Sequence, residues 1–294
     1  MDFQPQIPYD FPISTKQYPH HNEPLFTTIA SYLKALTERI PPREPLSKEQ
    51  ASHRSYKILC PEETAVFTEI NGEKHYIHGN VIGDYILMQA PLKKDFLTFW
   101  KICMDHSNLI VDLTCHEFEP IDDYHTEEIG LSTEPQEDIT VTCLNIEEDA
   151  YGESTLYTLK LTEKSTGKEK IIYRINFDMW LDTLAIPPDK LSRLIQIVNS
   201  YAGKEKIIIH CRIGVGRTGT FVTAREVDKL ITTGKIFDPH SLTNQTLNII
   251  LAGRQARNRR FVQNSKQLRS IFEFAQWKIE NSQKPQEKTS SNFL

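Results

Sequence analysis

The sequence predicts an α/β fold: a single domain whose central, mixed and twisted β-sheet is flanked by helices on both faces. Strand-like runs dominate the early and middle parts of the chain and helical spacing dominates its end, an order typical of α/β or α+β architectures. Residues 207–209 form a short continuous apolar run, which suits a strand buried on both faces. The 294 residues accommodate one such domain of roughly 230 to 250 residues with flanking segments.

Composition and charge exclude several classes of protein. Apolar residues make up 39% and charged residues 25%, and 34 basic against 39 acidic residues give a net charge of −5, which argues against a nucleic-acid partner held by bulk charge. No apolar run approaches the roughly 18 to 20 residues of a membrane span. The N-terminus lacks the basic and then apolar pattern of a Sec-type signal peptide. We therefore expect a cytoplasmic, reducing location, and export by a non-Sec route into a host cytosol is left open.

The cysteines indicate neither a disulfide framework nor a metal site. Their number is odd, their spacing is wide and no CxxC pair occurs. They are Cys60, Cys103, Cys115, Cys143 and Cys211. We expect no metal and no cofactor, and we expect a monomer with the oligomeric state left open.

Both ends of the chain differ from its middle. Residues 1–22 hold four prolines and few aliphatic side chains, which predicts a flexible segment. Apolar residues recur at helical spacing over residues 25–40 and stop at Pro41-Pro42, which predicts an accessory helix and linker over residues 23–49. Residues 282–294 form a polar tail.

Between these ends, strands precede helices. Residues 65–70 and 75–82 flank Asn71-Gly72 and predict a hairpin. Further strands are predicted at 108–113, 139–146, 155–162 and 171–177, and residues 116–137 look acidic and irregular. Helices are predicted at 96–104, from Pro187-Pro188 to about 201, and at 218–231, 242–251 and 263–280.

The most informative segment is residues 207–219, where a buried strand runs into a glycine-bearing turn that opens a helix. Backbone N–H groups of such a turn and the first turn of the helix favour an anion. Gly214, Gly216 and Gly219 permit close approach of the backbone. The segment is not a nucleotide-binding P-loop, because the Lys-Ser/Thr pair of that motif is missing.

Cys211 begins this turn and is the candidate nucleophile. N–H donors and a helix N-terminus favour the thiolate form of a cysteine, which is its reactive form. Arg217 follows six residues later, and its planar guanidinium can bind two phosphoryl oxygens at once. Thr218 could assist departure of the thiolate, and we expect His210 to order the loop by hydrogen bonding.

The run His210-Cys211-five residues-Arg217-Thr218 resembles the signature of the protein tyrosine phosphatases. The resemblance implies formation of a cysteinyl-phosphate and its hydrolysis, without a metal. It also implies a substrate-binding loop, formed here by Arg212, Ile213, Gly214, Val215, Gly216 and Arg217.

A second segment resembles the mobile Trp-Pro-Asp loop of the same family. Trp180-Leu181-Asp182 lies before Pro187, and Asp182 is 29 residues before Cys211, a separation typical of the family. The resemblance implies that Asp182 is the general acid for the phenolate leaving group and that Trp180 is a hinge anchor. Leu181 replaces the usual proline.

Other positions match the family one by one. Tyr56 resembles the tyrosine that stacks on the substrate ring. Gln263 resembles the glutamine that positions the hydrolytic water, and the resemblance implies that Gln267 of the same loop binds substrate. Glu117 and Glu119 both lie where a carboxylate orients the phosphate-binding arginine, and the sequence does not choose between them. The resemblance covers about residues 50 to 278, and we assign the phosphatase domain to residues 50–281.

Four arginines form a cationic run beside the Gln263 loop. They are Arg254, Arg257, Arg259 and Arg260. Two interpretations stay open: a solvated helix end, or a positive rim that steers dianionic ligands.

The resemblance predicts hydrolysis of phosphotyrosine in tyrosine-phosphorylated proteins. One alternative is a dual-specificity or phosphoinositide phosphatase that uses the same loop, although no lysine lies between Cys211 and Arg217. Another is a catalytically weak phosphotyrosine-binding module, for which the leucine at position 181 is the only supporting feature.

Overall fold

The computed structural model describes residues 18–47, 50–55, 57–136, 138–149 and 151–282. In this part of the chain the strands form one nine-stranded sheet. In chain order they are β1 (Ala65–Ile70), β2 (Glu73–Ile82), β3 (Tyr85–Gln89), β4 (Leu109–Asp112), β5 (Ser132–Gln136), β6 (Ile139–Glu148), β7 (Thr155–Glu163), β8 (Lys168–Asn176) and β9 (Ile207–Cys211).

The sheet is mixed, as predicted, with its parallel strands at the centre. The strand order is β1-β2-β3-β9-β4-β8-β7-β6-β5. β9 pairs in parallel with β3 and β4, β4 pairs in parallel with β8, and the outer pairs are antiparallel. The register sets Cys211 opposite Gln89 and His210 opposite Asp112. The carboxyl ends of β3, β9 and β4, which are distant in sequence, therefore lie side by side.

Helices cover both faces of the sheet, which confirms the predicted architecture. They are α1 (Glu23–Glu38), α2 (Phe96–His106), α3 (Pro188–Tyr201), α4 (Gly216–Thr232), α5 (Pro239–Ala256) and α6 (Ser265–Ser282). Side chains of a strand alternate between faces. Ile207 and Ile209 accordingly join the core formed with α1 and α3–α6, whereas Ile208 joins the core formed with α2. The prediction that 207–209 is buried on both faces is confirmed.

The β1–β2 hairpin confirms a second prediction from the sequence. The strands pair antiparallel, and Asn71 and Gly72 take the left-handed backbone that a two-residue turn requires, with φ of 53° and 81°.

The prediction that residues 116–137 are irregular is wrong at their end, where β5 forms. β5 is one of the two edge strands of the described sheet and pairs with β6, with a shift of register between Thr133 and Gln136. Charged residues and proline are common on edge strands. They interrupt the alternation of apolar and polar residues by which a strand is predicted.

The two predicted terminal segments lie mostly outside the described residues. Residues 1–17 and 283–294 are not described, and neither are positions 48 and 49 of the predicted linker. Pro19–His21 forms a 3₁₀ helix, and the carbonyl of His20 accepts a hydrogen bond of 2.9 Å from Arg269 on α6. None of the helices described has the combination of length and apolar character needed to cross a membrane.

Candidate active site

The turn between β9 and α4 wraps its backbone around the sulfur of Cys211. Cys211 is 3% exposed, and the N–H of Gly214 donates to its Sγ at 3.2 Å. Gly214 has a φ of 74°, and a Cβ there would lie 2.0 Å from the carbonyl oxygen of Met88 on β3. Only glycine fits this position, so residue 214 fixes both the shape of the turn and the donor aimed at the sulfur.

The guanidinium of Arg217 is buried and held from two sides. It donates to the carbonyl oxygen of Trp180 at 3.0 Å and to a carboxylate oxygen of Glu119. Its Nε lies 3.7 Å from Oδ1 of Asp182. Burial alone would lower the pKa of Arg217, but the charges of Cys211, Glu119 and Asp182 outweigh it and raise that pKa above its ordinary value. A cation is therefore fixed beside the sulfur and the predicted acid.

The structure distinguishes the two glutamates that the sequence left open. The side chain of Glu119 is 7% exposed and contacts Arg217, whereas Glu117 is exposed. Glu119 is thus the carboxylate that orients the arginine.

The segment that carries Asp182 is anchored at both ends. Trp180 is buried, and its Nε1 donates to the carbonyl oxygen of Leu184 at 3.0 Å. The N–H of Ile186 donates to Ser270 on α6 at 3.1 Å. Leu181 is 41% exposed, and the side chain of Asp182 is 43% exposed. The predicted acid thus stands at the mouth of the site on a short, tethered loop.

The two predicted glutamines lie against the start of α4. A Cβ on Gly216 would come within 2.9 Å of Oε1 of Gln263 and 3.0 Å of Nε2 of Gln267. Gln267 is buried, and its Oε1 accepts from the N–H of Gln263 at 2.9 Å. Both amides therefore face the turn that holds Cys211.

His210 and Thr218 are buried, but neither is seen to bond the sulfur. Nε2 of His210 lies 2.9 Å from the hydroxyl of Tyr124, and its Nδ1 lies 3.5 Å from Asp112. Burial lowers the pKa of His210 to about 4, so the ring is neutral near pH 7. The hydroxyl of Thr218 has no hydrogen-bond partner among the residues described, and its role in thiolate departure stays a prediction.

Arg257 belongs to the interior, which corrects the interpretation of the four arginines as one surface rim. Arg257 is fully buried and donates to the carbonyl oxygens of Gly214 at 3.2 Å and Ile213 at 3.3 Å. It also donates to Asn80 on β2 at 2.9 Å. Sequence reasoning missed this brace, because nothing in the local pattern of an arginine-rich segment marks which guanidinium turns inward.

Of the other arginines of the run, one holds a loop by hydrogen bonds and two are exposed. Arg254 donates to the carbonyl oxygens of Phe261 at 3.0 Å and Val262 at 3.1 Å, just before Gln263. Arg259 and Arg260 are exposed.

The remaining predicted substrate contacts that the structure describes differ in exposure. Arg212 is exposed, Ile213 is half-buried and Val215 is buried. Tyr56 lies outside the described residues. Within the described part of the chain, no group of three or more His, Cys, Asp and Glu side chains could hold a metal ion.

The site on this mixed sheet thus combines a buried sulfur that accepts a backbone N–H, a buried guanidinium and a partly exposed carboxylate. Residues 49–277 match the family described as protein-tyrosine phosphatase, so the chain belongs to that family. It is 26% identical over 216 residues to human tyrosine-protein phosphatase non-receptor type 18, a match that covers 68% of this chain and 46% of the relative. It is 26% identical over 194 residues to rat receptor-type tyrosine-protein phosphatase V, a match that covers 58% of this chain and 11% of the relative. The chain thus spans less than half the length of these relatives.

Solved structures show the same fold. PTPN18 in complex with HER2 phosphopeptides superposes with a TM-score of 0.76 at 21% identity, over 88% of this chain and 94% of that chain. The catalytic domain of human protein tyrosine phosphatase non-receptor type 18 gives a TM-score of 0.74 at 21% identity, over 89% of this chain and all of that chain.

Proposed function

We propose that this protein hydrolyses phosphotyrosine in proteins through a cysteinyl-phosphate intermediate, with residues 50–281 as the catalytic unit. The observation that carries the proposal is the hydrogen bond of 3.2 Å from the N–H of Gly214 to the sulfur of Cys211, formed where α4 begins. A backbone donor beside a buried sulfur, at the N-terminus of a helix, is placed to bind an oxyanion that reaches that sulfur.

In the first step, Sγ of Cys211 attacks phosphorus and the bond from phosphorus to the tyrosine oxygen breaks. Asp182 supplies the proton that the departing phenolate takes up. Arg217 and the amides of residues 212–216 bind the phosphoryl oxygens, whose charge they stabilise in the transition state. The distance of 3.7 Å between Arg217 and Asp182 supports this assignment of roles.

In the second step, water attacks the phosphorus of the cysteinyl-phosphate, and the sulfur departs as the thiolate. Gln263 positions the water, and the carboxylate of Asp182 takes its proton. The closeness of the Gln263 amide to Gly216 supports this role. Thr218 stabilises the departing sulfur. Gln267 binds the substrate from the same side of the turn as Gln263.

Tyrosine-phosphorylated proteins are the proposed substrates, and Tyr56 is the proposed contact to the tyrosine ring. The absence of lysine between Cys211 and Arg217 supports this class over phosphoinositides. A reducing cytoplasm, either of the producing cell or of a host reached by a non-Sec route, is the proposed place of action, since the reaction needs Cys211 as a free thiolate. We propose that the protein acts as a monomer.

Replacing Cys211 with serine tests the proposal. The Cys211→Ser variant should lose turnover of a phosphotyrosine peptide by a factor of about 10⁴ or more, because the nucleophile is gone, and yet bind the peptide. The wild-type protein should release phosphate from this peptide much faster than from the same peptide with phosphothreonine. Phosphate release and peptide binding are the measurements.

Cys143→Ser is a matched control, because Cys143 lies on β6, four strands away from β9 in the sheet. It should keep the turnover of the wild-type protein. Turnover by Cys211→Ser close to that of the wild type would reject the nucleophile. Tight peptide binding by a wild-type protein without turnover would instead indicate a binding module.

A further inference from the structure

Two residues beside the proposed catalytic side chains have left-handed backbones. Thr183 follows Asp182 and has a φ of 65°, and Val262 precedes Gln263 and has a φ of 56°. β-branched residues avoid this conformation, which persists only where the surrounding structure holds it. Both positions are therefore held in place by contacts with other elements.

One side chain lies between the two strained positions. The Nδ2 group of Asn264 donates to the carbonyl oxygen of Thr183 at 3.0 Å, across 81 residues of sequence. This hydrogen bond joins the loop of Asp182 to the loop of Gln263.

The other half of the Asn264 amide is fixed as well. Its Oδ1 accepts from the N–H of Gln267 at 3.0 Å, which caps the start of α6. Gln267 in turn accepts from the N–H of Gln263 at 2.9 Å. Because both ends of its amide are engaged, Asn264 is held in one orientation, with its N–H groups toward Thr183.

We propose that Asn264 is a positioning residue that latches the Asp182 loop where Asp182 lies 3.7 Å from Arg217. The inference rests on the proposed function and extends it to the control of the acid loop. Asn264 holds the carbonyl oxygen of Thr183. Through this hydrogen bond it positions Asp182, the preceding residue.

Loss of the latch should slow one kind of substrate and not another, whereas a general loss of stability would slow both. A latch that positions the acid matters only where the leaving group needs a proton. Phenol, with a pKa of about 10 like that of tyrosine, needs one at neutral pH. The dinitrophenolate ion is stable without a proton at that pH, so its departure does not depend on Asp182.

Asn264→Asp removes the donor of the latch and adds a charge near Asp182, so the neutral variant Asn264→Ser is measured beside it. Aspartate has nearly the same size and keeps an oxygen to cap α6, but it has no N–H for the Thr183 carbonyl. We expect kcat/KM for phenyl phosphate to fall by about fivefold to tenfold, the loss typical of one hydrogen bond, and that for 2,4-dinitrophenyl phosphate to change by less than about twofold.

A matched control lies at the other end of the same helix. Asn281 also donates through Nδ2 to a backbone carbonyl, that of Trp277 at 2.7 Å, so Asn281→Asp makes the same chemical change away from the site. Asn281→Asp should leave kcat/KM for both esters unchanged. Asp182→Asn sets the limit of the effect, with a large loss for phenyl phosphate and a small one for the dinitrophenyl ester.

Equal losses for the two esters in Asn264→Asp, or no loss for either, would overturn the latch. Asn264→Ser removes the same donor without adding a charge, since serine also caps a helix and is too short to reach Thr183 in the same way, and it also supplies the test if Asn264→Asp does not fold. The same selective loss is expected, and a uniform loss counts against the proposal. A wild-type protein that turned over neither ester would reject the proposed function itself, a result distinct from an active wild type with an unselective variant.

Discussion

Glu119 and the carbonyl of Trp180 fix the Arg217 guanidinium between them. Glu119→Gln removes the charge of one partner, and we expect kcat/KM for an aryl phosphate to fall by about tenfold to a hundredfold, since a hydrogen bond between charged groups is worth about 1.5–3 kcal/mol. Steady-state kinetics measure the loss. Glu117→Gln is the matched control: its side chain is exposed, and it should retain wild-type kinetics. Similar losses in both variants would contradict the assignment to Glu119.

At this same scale, the sequence predicted the residues of local motifs and not their distant partners. Cys211 and Arg217 are recognisable because the turn that joins them is short and its spacing is fixed. The choice of Glu119 over Glu117 depends on which carboxylate the folded loop turns inward. Burial of Arg257 likewise depends on carbonyls of residues 213 and 214, more than 40 positions away in sequence. Such contacts are set by tertiary packing and leave no local pattern.

The turn between β9 and α4 depends on glycine at one position more than at any other. Gly214→Ala would combine a strained left-handed backbone with a Cβ at 2.0 Å from the Met88 carbonyl oxygen. We expect a loss of about 3 kcal/mol or more in the free energy of unfolding, because this backbone cannot move without disturbing β3. Urea denaturation measures the change.

Gly203 offers the matched control for this substitution. It lies in the loop before β9, and a Cβ there would be 3.7 Å from the nearest atom, the amide nitrogen of Asn108, at an ordinary contact distance. Gly203→Ala should change the free energy of unfolding by less than about 1 kcal/mol. Equal effects of the two substitutions would show that Gly214 is not specially constrained.

Elements with strong local signals were predicted, and elements defined by their neighbours were not. The β1–β2 hairpin and the doubly buried β9 follow from an Asn-Gly turn and an apolar run. β5 is stabilised by antiparallel pairing with β6, so its own sequence carries little of the alternating pattern that predicts a strand. α6 begins at Ser265, two residues later than predicted, because Asn264 caps it and leaves Gln263 in the preceding loop.

The whole molecule carries several buried histidines that should make its stability sensitive to acid. Burial lowers the pKa of His78 and His125 to about 3 and that of His210 to about 4. The unfolded chain binds these protons at a pKa of about 6.5. Between these values the unfolded state holds more protons, so stability falls as the pH falls from about 6.5 toward 4, by about 1.4 kcal/mol per pH unit for each such histidine. His116 acts in the opposite sense, since its hydrogen bond to Asp112 raises its pKa.

Urea unfolding at a series of pH values measures this dependence. His125→Asn should reduce the slope between about pH 6 and pH 4 by about one proton and leave it unchanged above about pH 7.5. An unchanged slope in the variant would show that His125 accepts a proton in the folded protein as readily as in the unfolded chain.

The position of β9 has a further consequence for how this protein opens. Fluctuations that expose a backbone segment are cheapest at edges and termini and most costly in a strand that has neighbours on both sides and cores above and below. The amides of Ile207–Cys211 should therefore exchange with solvent deuterium only when the entire domain unfolds, whereas those around Asp182, which lie in a loop, should exchange earlier. The sulfur of Cys211 is thus attached to the part of the chain that opens last, whereas Asp182 stands on a loop held by a few hydrogen bonds, so a shift of that loop would leave the position of the sulfur unchanged.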